Sequence, residues 1–398
     1  MPEGVLQANH SRHETPGIFF RPRQLHLFGG EPEPIPVEPF PPWEEGKEKW
    51  IDEGISMVRN EEGSQVILSG FGLFLGKKSE RLVVRKGKEA IYQFPLFRLS
   101  EVIVSSRGVS VSSDLIEELC ERGIRLTFLA SSGRPYAMLT SPLLTATVIT
   151  RREQILAFSD QRGARFCRAV VEGKIKNQAR ILKYFGKYLK QTEPETFVRL
   201  NRMAKELDHL SREARKAEGE GADAVRSSLM GLEGASGRIY WDGVKLIVGE
   251  RVRFMGREHR GAADVLNSML NYGYGILYGL VWGAILNAGL EPFAGFLHVD
   301  RPGKPSLVLD LVEEFRQPVV DRPILAHINL GEKIEIADGQ LDAETRRAIG
   351  YKVLARLESQ ESFRGKRYQV KSIIQMQARS LASFLRGGKE YRPFAFKW

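Results

Sequence analysis

One short stretch of the chain places an imidazole and three carboxylates in an apolar context. His298 is followed by Asp310, Glu313 and Glu314, and Phe, Leu and Val side chains surround them. If this segment is a helix, the three acids share one face, because positions three and four apart are neighbours on a helix surface. Carboxylates held this close repel one another. We expect Arg316 to point elsewhere, so a compensating positive charge must come from another source.

A divalent cation would supply that charge. Carboxylate oxygens suit Mg²⁺ and Mn²⁺, and Mn²⁺ also accepts an imidazole nitrogen. The Arg-Pro-Gly-Lys-Pro turn at 301–305 can bring His298 back towards Glu313. Glu233 is the candidate for a further ligand, because it is an isolated acid among small and apolar residues, where an uncompensated charge is costly. A solvated helix face and a structural ion-pair network are the alternative interpretations of the same residues.

Positive charge is concentrated in one part of the chain. The net charge is +10 and the pI is about 9.5. Residues 151–216 alone contain 17 Lys and Arg against 8 Asp and Glu. Such a patch favours a polyanionic partner, either nucleic acid or an anionic membrane surface. Because the excess is localised, we predict nucleic acid; a solvated helix face that aids solubility is the alternative.

Several classes of protein are excluded by composition. Cys120 and Cys167 are far apart and form no metal-binding spacing, which argues against a disulfide framework and a zinc ribbon and fits a reducing cytoplasm. No secretory signal is apparent at the N-terminus, so we expect a cytoplasmic protein. The apolar residues 274–290 are glycine-rich and short for a membrane span. We interpret them as a buried helix and predict no membrane partner.

The chain divides into three regions. Residues 1–60 hold most of the proline-rich sequence and are predicted to be an extension or linker without regular structure. Residues 61–146 contain short β-branched runs separated by turns, with one helix that starts at Ser112 or Ser113 and ends before Gly123. Residues 147–398 show helical periodicity. The predicted fold is α+β: a small N-terminal, mostly-β domain followed by a large all-α catalytic domain.

Three segments resemble the CRISPR-associated spacer-acquisition integrases and endonucleases, the Cas-one family. They are MGLEGASGRIYW at 230–241, GLEPFAGFLH at 289–298 and SLVLDLVEEFRQPVVDR at 306–322. The order of a glutamate, a histidine and then an acidic helix is highly specific for this family. The β region and two further helical segments also match. The resemblance therefore covers residues 64–398 and leaves out the proline-rich region.

This resemblance implies that Glu233, His298 and Glu313 bind Mg²⁺ or Mn²⁺, with Asp310 as an auxiliary acid. It implies strand transfer, in which the 3′-hydroxyl of a short prespacer duplex attacks a phosphodiester at the edge of a CRISPR repeat. It also implies a homodimer formed through the β domain, a small Cas-two partner protein and, for some members, a Cas-four-type nuclease. A metal-dependent nuclease acting on branched DNA in repair and a non-catalytic DNA-binding scaffold are the competing functions.

Double-stranded DNA is expected to contact the basic helices through its phosphates, an interaction that weakens with salt and carries little sequence information. Tyrosines of the apolar helix could stack on a splayed base, with core packing as the alternative. The residues predicted to contact DNA are Lys174, Lys176, Asn177, Arg180, Arg253, Arg257, Arg260, Tyr272 and Tyr274.

Overall fold

The N-terminal region is built mainly from strands. The computed structural model describes residues 49–51, 55–60, 63–130, 133–139, 148–258, 264–337 and 340–397. One helix, α1 (Ser113–Glu121), lies between the eighth and ninth strands. The strands are β1 (Lys49–Ile51), β2 (Ile55–Asn60), β3 (Gly63–Leu68), β4 (Leu73–Lys78), β5 (Arg81–Lys86), β6 (Glu89–Pro95), β7 (Leu99–Val104), β8 (Ser110–Val111), β9 (Arg125–Leu129) and β10 (Pro135–Leu139).

These strands form two sheets that share one apolar core. The larger sheet has the order β1-β2-β3-β7-β9-β10, and the smaller has the order β6-β5-β4-β8. The pairs β3–β7, β7–β9 and β4–β8 are parallel and the others are antiparallel. Their shared core includes Val66, Leu75 and Phe94, all almost fully buried. The helix α1 has Ser112 at its N-cap and is followed by Gly123 with a positive φ of 66°, as predicted.

The sheet begins before the predicted boundary at residue 61. β1 and β2 lie within the predicted linker of residues 1–60, so that boundary requires correction. Ile55 pairs with Leu68 across the β2–β3 hairpin and is fully buried, which explains why these residues belong to the sheet. Residues 1–48 lie outside the described residues, and the prediction made for them stays a prediction.

From residue 148 onward the chain is mostly helical, which confirms the predicted α+β class. Two short hairpins interrupt the helices, a feature that the prediction of an all-α region missed. The first pairs β11 (Ile336–Ala337) with β12 (Gln340–Leu341), and the second pairs β13 (Gln360–Phe363) with β14 (Lys366–Gln369). The helices are α2 (Val148–Ala157), α3 (Gln161–Thr192), α4 (Pro194–Lys216), α5 (Ala222–Val248), α6 (Val265–Asn287), α7 (Ser306–Val312), α8 (Arg322–Asn329), α9 (Ala343–Glu358) and α10 (Val370–Leu385).

The helix α6 forms the centre of the helical region. Of the helices that the structure describes, it alone has the length and apolarity to cross a membrane. Most of it is buried inside the protein, as predicted for a core helix. It also packs tightly against the β region: a Cβ built on Gly275 would lie 1.5 Å from the carbonyl oxygen of Gly133. Only glycine permits this approach of two backbones.

The long helix α3 packs against α4 and α5 and supports the candidate site. It begins at the N-cap Asp160, whose side chain accepts a 2.7 Å hydrogen bond from the backbone nitrogen of Arg162. It ends where Pro194 starts α4, because proline suits the first turn of a helix and not its interior. Its buried residues include the charged Glu172 and Lys174. Burial of these charged residues on a helix that is enclosed on several sides points to ion pairs with neighbouring elements.

Candidate metal and DNA site

His298 is oriented by a buried carboxylate. Its Nδ1 lies 2.7 Å from Oδ1 of Asp310, on the first element after the turn. The same carboxylate accepts hydrogen bonds from the backbone nitrogens of Phe296, Leu297 and His298, at 2.6, 3.1 and 2.9 Å. Asp310 is therefore fully buried yet amply satisfied. Because Nδ1 donates its proton to Asp310, Nε2 is the nitrogen that can accept a metal ion.

The loop that carries His298 is also fastened to α5. Arg226 donates from Nε to the carbonyl oxygen of Leu297 at 2.9 Å and from Nη2 to that of Phe296 at 2.8 Å. Its guanidinium lies 5.6 Å from the ring centroid of Phe158. Glu233 lies seven residues further along α5, two helical turns away and on the same side. One helix thus fixes both Glu233 and the histidine loop.

Glu233 and Glu313 meet at a single ammonium group. Nζ of Lys174 lies 2.6 Å from Oε2 of Glu313 and also contacts Oε1 of Glu233. On the opposite side, Nε of Arg316 lies 3.3 Å from Oε1 of Glu313. This finding corrects the expectation that Arg316 points elsewhere. Lys174 and Arg316 therefore supply the compensating charge.

The charges around Glu313 determine its ionisation. Burial alone would raise the pKa of this carboxyl, but Arg316, Lys174 and His298 outweigh burial and lower the pKa to about 2. Burial likewise disfavours the ammonium of Lys174, while Glu313 and Glu233 outweigh it and raise the pKa of Lys174. Both groups are therefore charged at neutral pH, as a pair of opposite charges at this distance should be.

The three acids of the 310–314 segment do not converge, contrary to expectation. The helix α7 ends at Val312, and residues 316–321 form a π-helical turn that contains Pro318. Glu314 points away from Glu313 and accepts hydrogen bonds from Tyr391 Oη at 2.6 Å, Phe394 N at 2.7 Å and Gln377 Nε2 at 2.8 Å. Burial raises the pKa of Glu314 to about 7, although these donors oppose the shift.

The segment 391–396, which we call the C-terminal segment, packs directly behind the site. Asn177 on α3 donates from Nδ2 to the carbonyl oxygens of Glu314 and Phe394, at 2.8 and 3.0 Å. The ring of Phe394 stacks on Phe315 with a centroid distance of 5.2 Å. A Cβ built on Gly173 would lie 2.6 Å from Pro393. The C-terminal segment therefore supports the residues on either side of Glu313.

The donor set fits a divalent ion, although the side chains are arranged around Lys174. Within the described ranges, no three His, Cys, Asp or Glu side chains are grouped as they are around a bound ion. Oε2 of Glu313 is nevertheless buried and is held by its 2.6 Å ion pair with Lys174, whose alignment is poor for a hydrogen bond. Together with Glu233 and the Nε2 face of His298, it offers two carboxylates and an imidazole. This combination suits Mn²⁺ and Mg²⁺.

On α3, the residues predicted to contact DNA differ in exposure. Lys176 is partly exposed and pairs with Glu172, one turn earlier. Asn177 is fully buried, and both ends of its amide bond to the protein. Arg180 donates to the carbonyl oxygen of Phe396, and burial lowers its pKa. The predicted DNA contact is therefore wrong for Asn177. Its amide NH₂ group already donates to two backbone carbonyl oxygens and has no hydrogen left for a phosphate.

The remaining predicted DNA contacts lie elsewhere. Arg253 is exposed, whereas Arg257 donates to two asparagines of α6 at 2.6 Å each. Arg260 lies outside the described residues. Tyr272 and Tyr274 are 2% and 9% exposed, so their placement corresponds to core packing and corrects the expectation that they stack on a base. Sequence reasoning also missed Arg226 and Arg316; the spacing of Glu313 and Arg316, three residues apart, was the one local signal.

The family assignment rests on sequence comparisons. The family model for CRISPR associated protein Cas1 matches residues 66–347. A CRISPR-associated endonuclease Cas1 from Archaeoglobus fulgidus is 37% identical over 346 residues, covering 84% of this chain and all of that protein. Another, from Francisella tularensis subsp. novicida, is 35% identical over 333 residues, covering 84% of this chain and 99% of that protein.

Solved structures show the same fold at lower identity. A casposase bound to integration product has a TM-score of 0.68 and 22% identity, covering 83% of this chain and 92% of its own. A CAS1 protein from Thermotoga maritima has a TM-score of 0.65 and 21% identity, covering 84% and 99%. A Cas6-RT-Cas1–Cas2 complex has a TM-score of 0.66 and 21% identity, with 84% of this chain matching 36% of that one. The resemblance noted in the sequence is confirmed, and the chain belongs to the CRISPR-associated Cas1 family.

Proposed function

We propose that this protein is a CRISPR adaptation integrase that inserts short prespacer duplexes into a CRISPR array. Glu233, His298 and Glu313 would hold Mg²⁺ or Mn²⁺, and the 3′-hydroxyl of the prespacer would attack a phosphodiester at the edge of a repeat. The observation that carries the proposal is the meeting of Glu233 and Glu313 at one cation, beside a histidine oriented by Asp310.

Each residue has a separate task in this reaction. The bound ion would stabilise negative charge on the attacked phosphate and on the departing oxygen. Glu313 offers a buried, ionised oxygen, and Glu233 offers a second from the more exposed surface of α5. Asp310 holds the imidazole of His298 in the tautomer that can act as a ligand. Arg226 bonds the loop that carries His298 to α5, which carries Glu233, and so fixes the distance between these two metal ligands.

The surface next to Glu233 is open to a large substrate. Gly237 lies one helical turn beyond Glu233, and in the described part of the chain no heavy atom outside its own helix backbone stands within 4 Å of where its Cβ would be. Arg238 on α5 and Arg301, on the turn after His298, are both exposed. A DNA backbone could therefore approach Glu233 closely while its phosphates meet these guanidinium groups. This arrangement supports a polymeric substrate better than a small molecule in a closed cavity.

We also propose that the protein acts as a homodimer with a Cas-two protein. Phe71 and Phe97 of the β region are 77% and 70% exposed, and a subunit contact through this region would cover both rings. The solved Cas6-RT-Cas1–Cas2 complex shares this fold, which supports the Cas-two partner. Light scattering of the purified protein gives its mass and so tests the homodimer. The same measurement with the Cas-two protein added tests the complex. A Cas-four-type partner and the cytoplasmic location stay predictions.

The test is a strand-transfer assay. Purified protein, its Cas-two partner, a labelled duplex with free 3′-hydroxyls and a repeat-bearing plasmid are combined with Mn²⁺, Mg²⁺ or EDTA. We expect label in the plasmid only with metal, and its loss in Glu233→Gln, His298→Ala and Glu313→Gln. The matched control Glu195→Gln, exposed on α4, should retain transfer. Metal-dependent cleavage without transfer would favour a nuclease, and unaltered transfer in Glu233→Gln would refute the proposed site.

A further inference from the structure

Lys174 occupies the position between the two proposed metal ligands. Its side chain is 11% exposed, and its Nζ touches carboxylates that belong to different elements, α5 and the end of α7. Without a cation here, Glu233 and Glu313 would repel each other across a buried site. The lysine is thus more than a surface ion pair, because it holds together two groups that the proposed reaction needs together.

The ion pair with Glu313 leaves room for a second cation at the same oxygen. Lys174 lies 2.6 Å from Oε2 of Glu313, but this oxygen accepts no well-aligned hydrogen bond from any residue the structure describes. The other oxygen of Glu313 faces Arg316. The ammonium therefore neutralises the carboxylate while leaving a lone pair of Oε2 unclaimed. A second cation that approached this oxygen would compete with Lys174 for the same charge.

Charge counting shows what such competition requires. Glu233 and Glu313 carry two negative charges, and Lys174 and Arg316 carry two positive ones, so these four side chains are neutral together. Asp310, which contacts His298, contributes one further negative charge, so adding a divalent ion leaves an excess of one positive charge in a largely buried place. Such an excess is unfavourable unless anions enter with the ion. The phosphates of a DNA backbone are the anions that this substrate class provides.

We propose that Lys174 couples metal binding to DNA binding: it occupies the carboxylate pair until DNA arrives and then turns to a phosphate. The inference rests on the proposed metal site. It makes Lys174 a positioning residue that holds the metal affinity of the free protein low and raises it when a duplex is bound. Strand-cutting chemistry is thereby confined to the protein that already holds DNA.

The test measures Mn²⁺ binding by calorimetry, without turnover. For the wild-type chain we expect an affinity about tenfold higher when a short duplex that lacks a repeat is present. Lys174→Met should bind Mn²⁺ about tenfold more tightly than wild type without DNA, and the duplex should then add little. The matched control Lys183→Met lies on the same helix and removes an ion pair with Asp208 instead. It should behave as wild type.

Two results separate the inference from the proposed function. If Glu233→Gln and Glu313→Gln leave Mn²⁺ binding unchanged, the metal site itself is wrong. If those variants abolish binding but the wild-type affinity is the same with and without duplex, the site stands and the coupling by Lys174 is refuted. The wild-type comparison needs no variant, so the inference remains testable even if Lys174→Met fails to fold.

Discussion

Replacing Asp310 by asparagine tests how the histidine is held in place. The carboxylate accepts two hydrogen bonds at each oxygen: the backbone nitrogens of Phe296 and Leu297 at Oδ2, and the backbone nitrogen and Nδ1 of His298 at Oδ1. An amide has one acceptor oxygen, so its NH₂ group must face two donors. Two charge-assisted bonds are lost in a fully buried place, at about 1.5–3 kcal/mol each. We expect Asp310→Asn to lower the free energy of unfolding by about 3–6 kcal/mol.

The same change should weaken metal binding. If the NH₂ group faces His298, the imidazole must accept at Nδ1 and carry its proton on Nε2, where it can no longer bind a metal ion. We expect Mn²⁺ affinity to fall about 10–100-fold. Urea denaturation gives the stability and calorimetry gives the affinity, with Asp242→Asn, exposed on α5, as the control. Wild-type values of both quantities would refute the reasoning, and lower stability with unchanged affinity would refute the role in orienting His298.

Three further predictions follow from other parts of the molecule. Gly237→Leu should raise the free energy of unfolding by about 0.5–1 kcal/mol, because leucine favours a helix more than glycine does and finds open space here. The same variant should abolish strand transfer, because the leucine side chain would block the DNA backbone from Glu233. Gly237→Ala is the control, and full transfer in the leucine variant would refute the approach of DNA along this surface. Burial raises the pKa of Asp321 to about 6, so the folded state binds the carboxyl proton more tightly than the unfolded state does. The stability that this group contributes is therefore present below about pH 4 and is lost as the pH rises from about 4 to 6. The stability of Asp321→Asn relative to wild type should therefore rise by about 3 kcal/mol over that range in urea denaturation at several pH values, and a flat difference would contradict the assignment. Tyr391→Phe removes one donor to the buried Glu314 and should lower stability by about 1–3 kcal/mol in the same assay; an unchanged midpoint would show that this bond contributes nothing.

The order of the elements follows from local sequence, because strands and helices have their own apolar periods and end signals. The apolar helix α6 is buried as its composition indicates, and α1 begins and ends at the predicted residues. The resemblance to the family then identifies the residues Glu233, His298 and Glu313 as candidates. Apolar periodicity and helix end signals each describe a single helix or strand. They therefore predict features that depend on that helix or strand alone.

The partners of those residues could not be predicted in the same way. Lys174 is 59 residues from Glu233 in the chain, and no local pattern indicates that they meet. A regular helix through Glu314 would have turned three carboxylates to one side. The chain leaves α-helical geometry after Val312, so Asp310, Glu313 and Glu314 reach three different sets of donors. Between residues 310 and 314, tertiary contacts decide where each carboxylate points, and helical periodicity does not.

The C-terminal segment has a consequence for protein synthesis. Phe394 follows Glu314 by 80 residues, so a ribosome makes the acids of the site long before it makes the groups that secure them. A chain that stops short of Tyr391 keeps a buried carboxylate without its hydroxyl and backbone donors, and the wall behind Glu313 is missing. Interrupted translation would therefore yield a protein in which the buried surroundings of Glu313 and Glu314 cannot form, although every acid of the candidate site has already been synthesised.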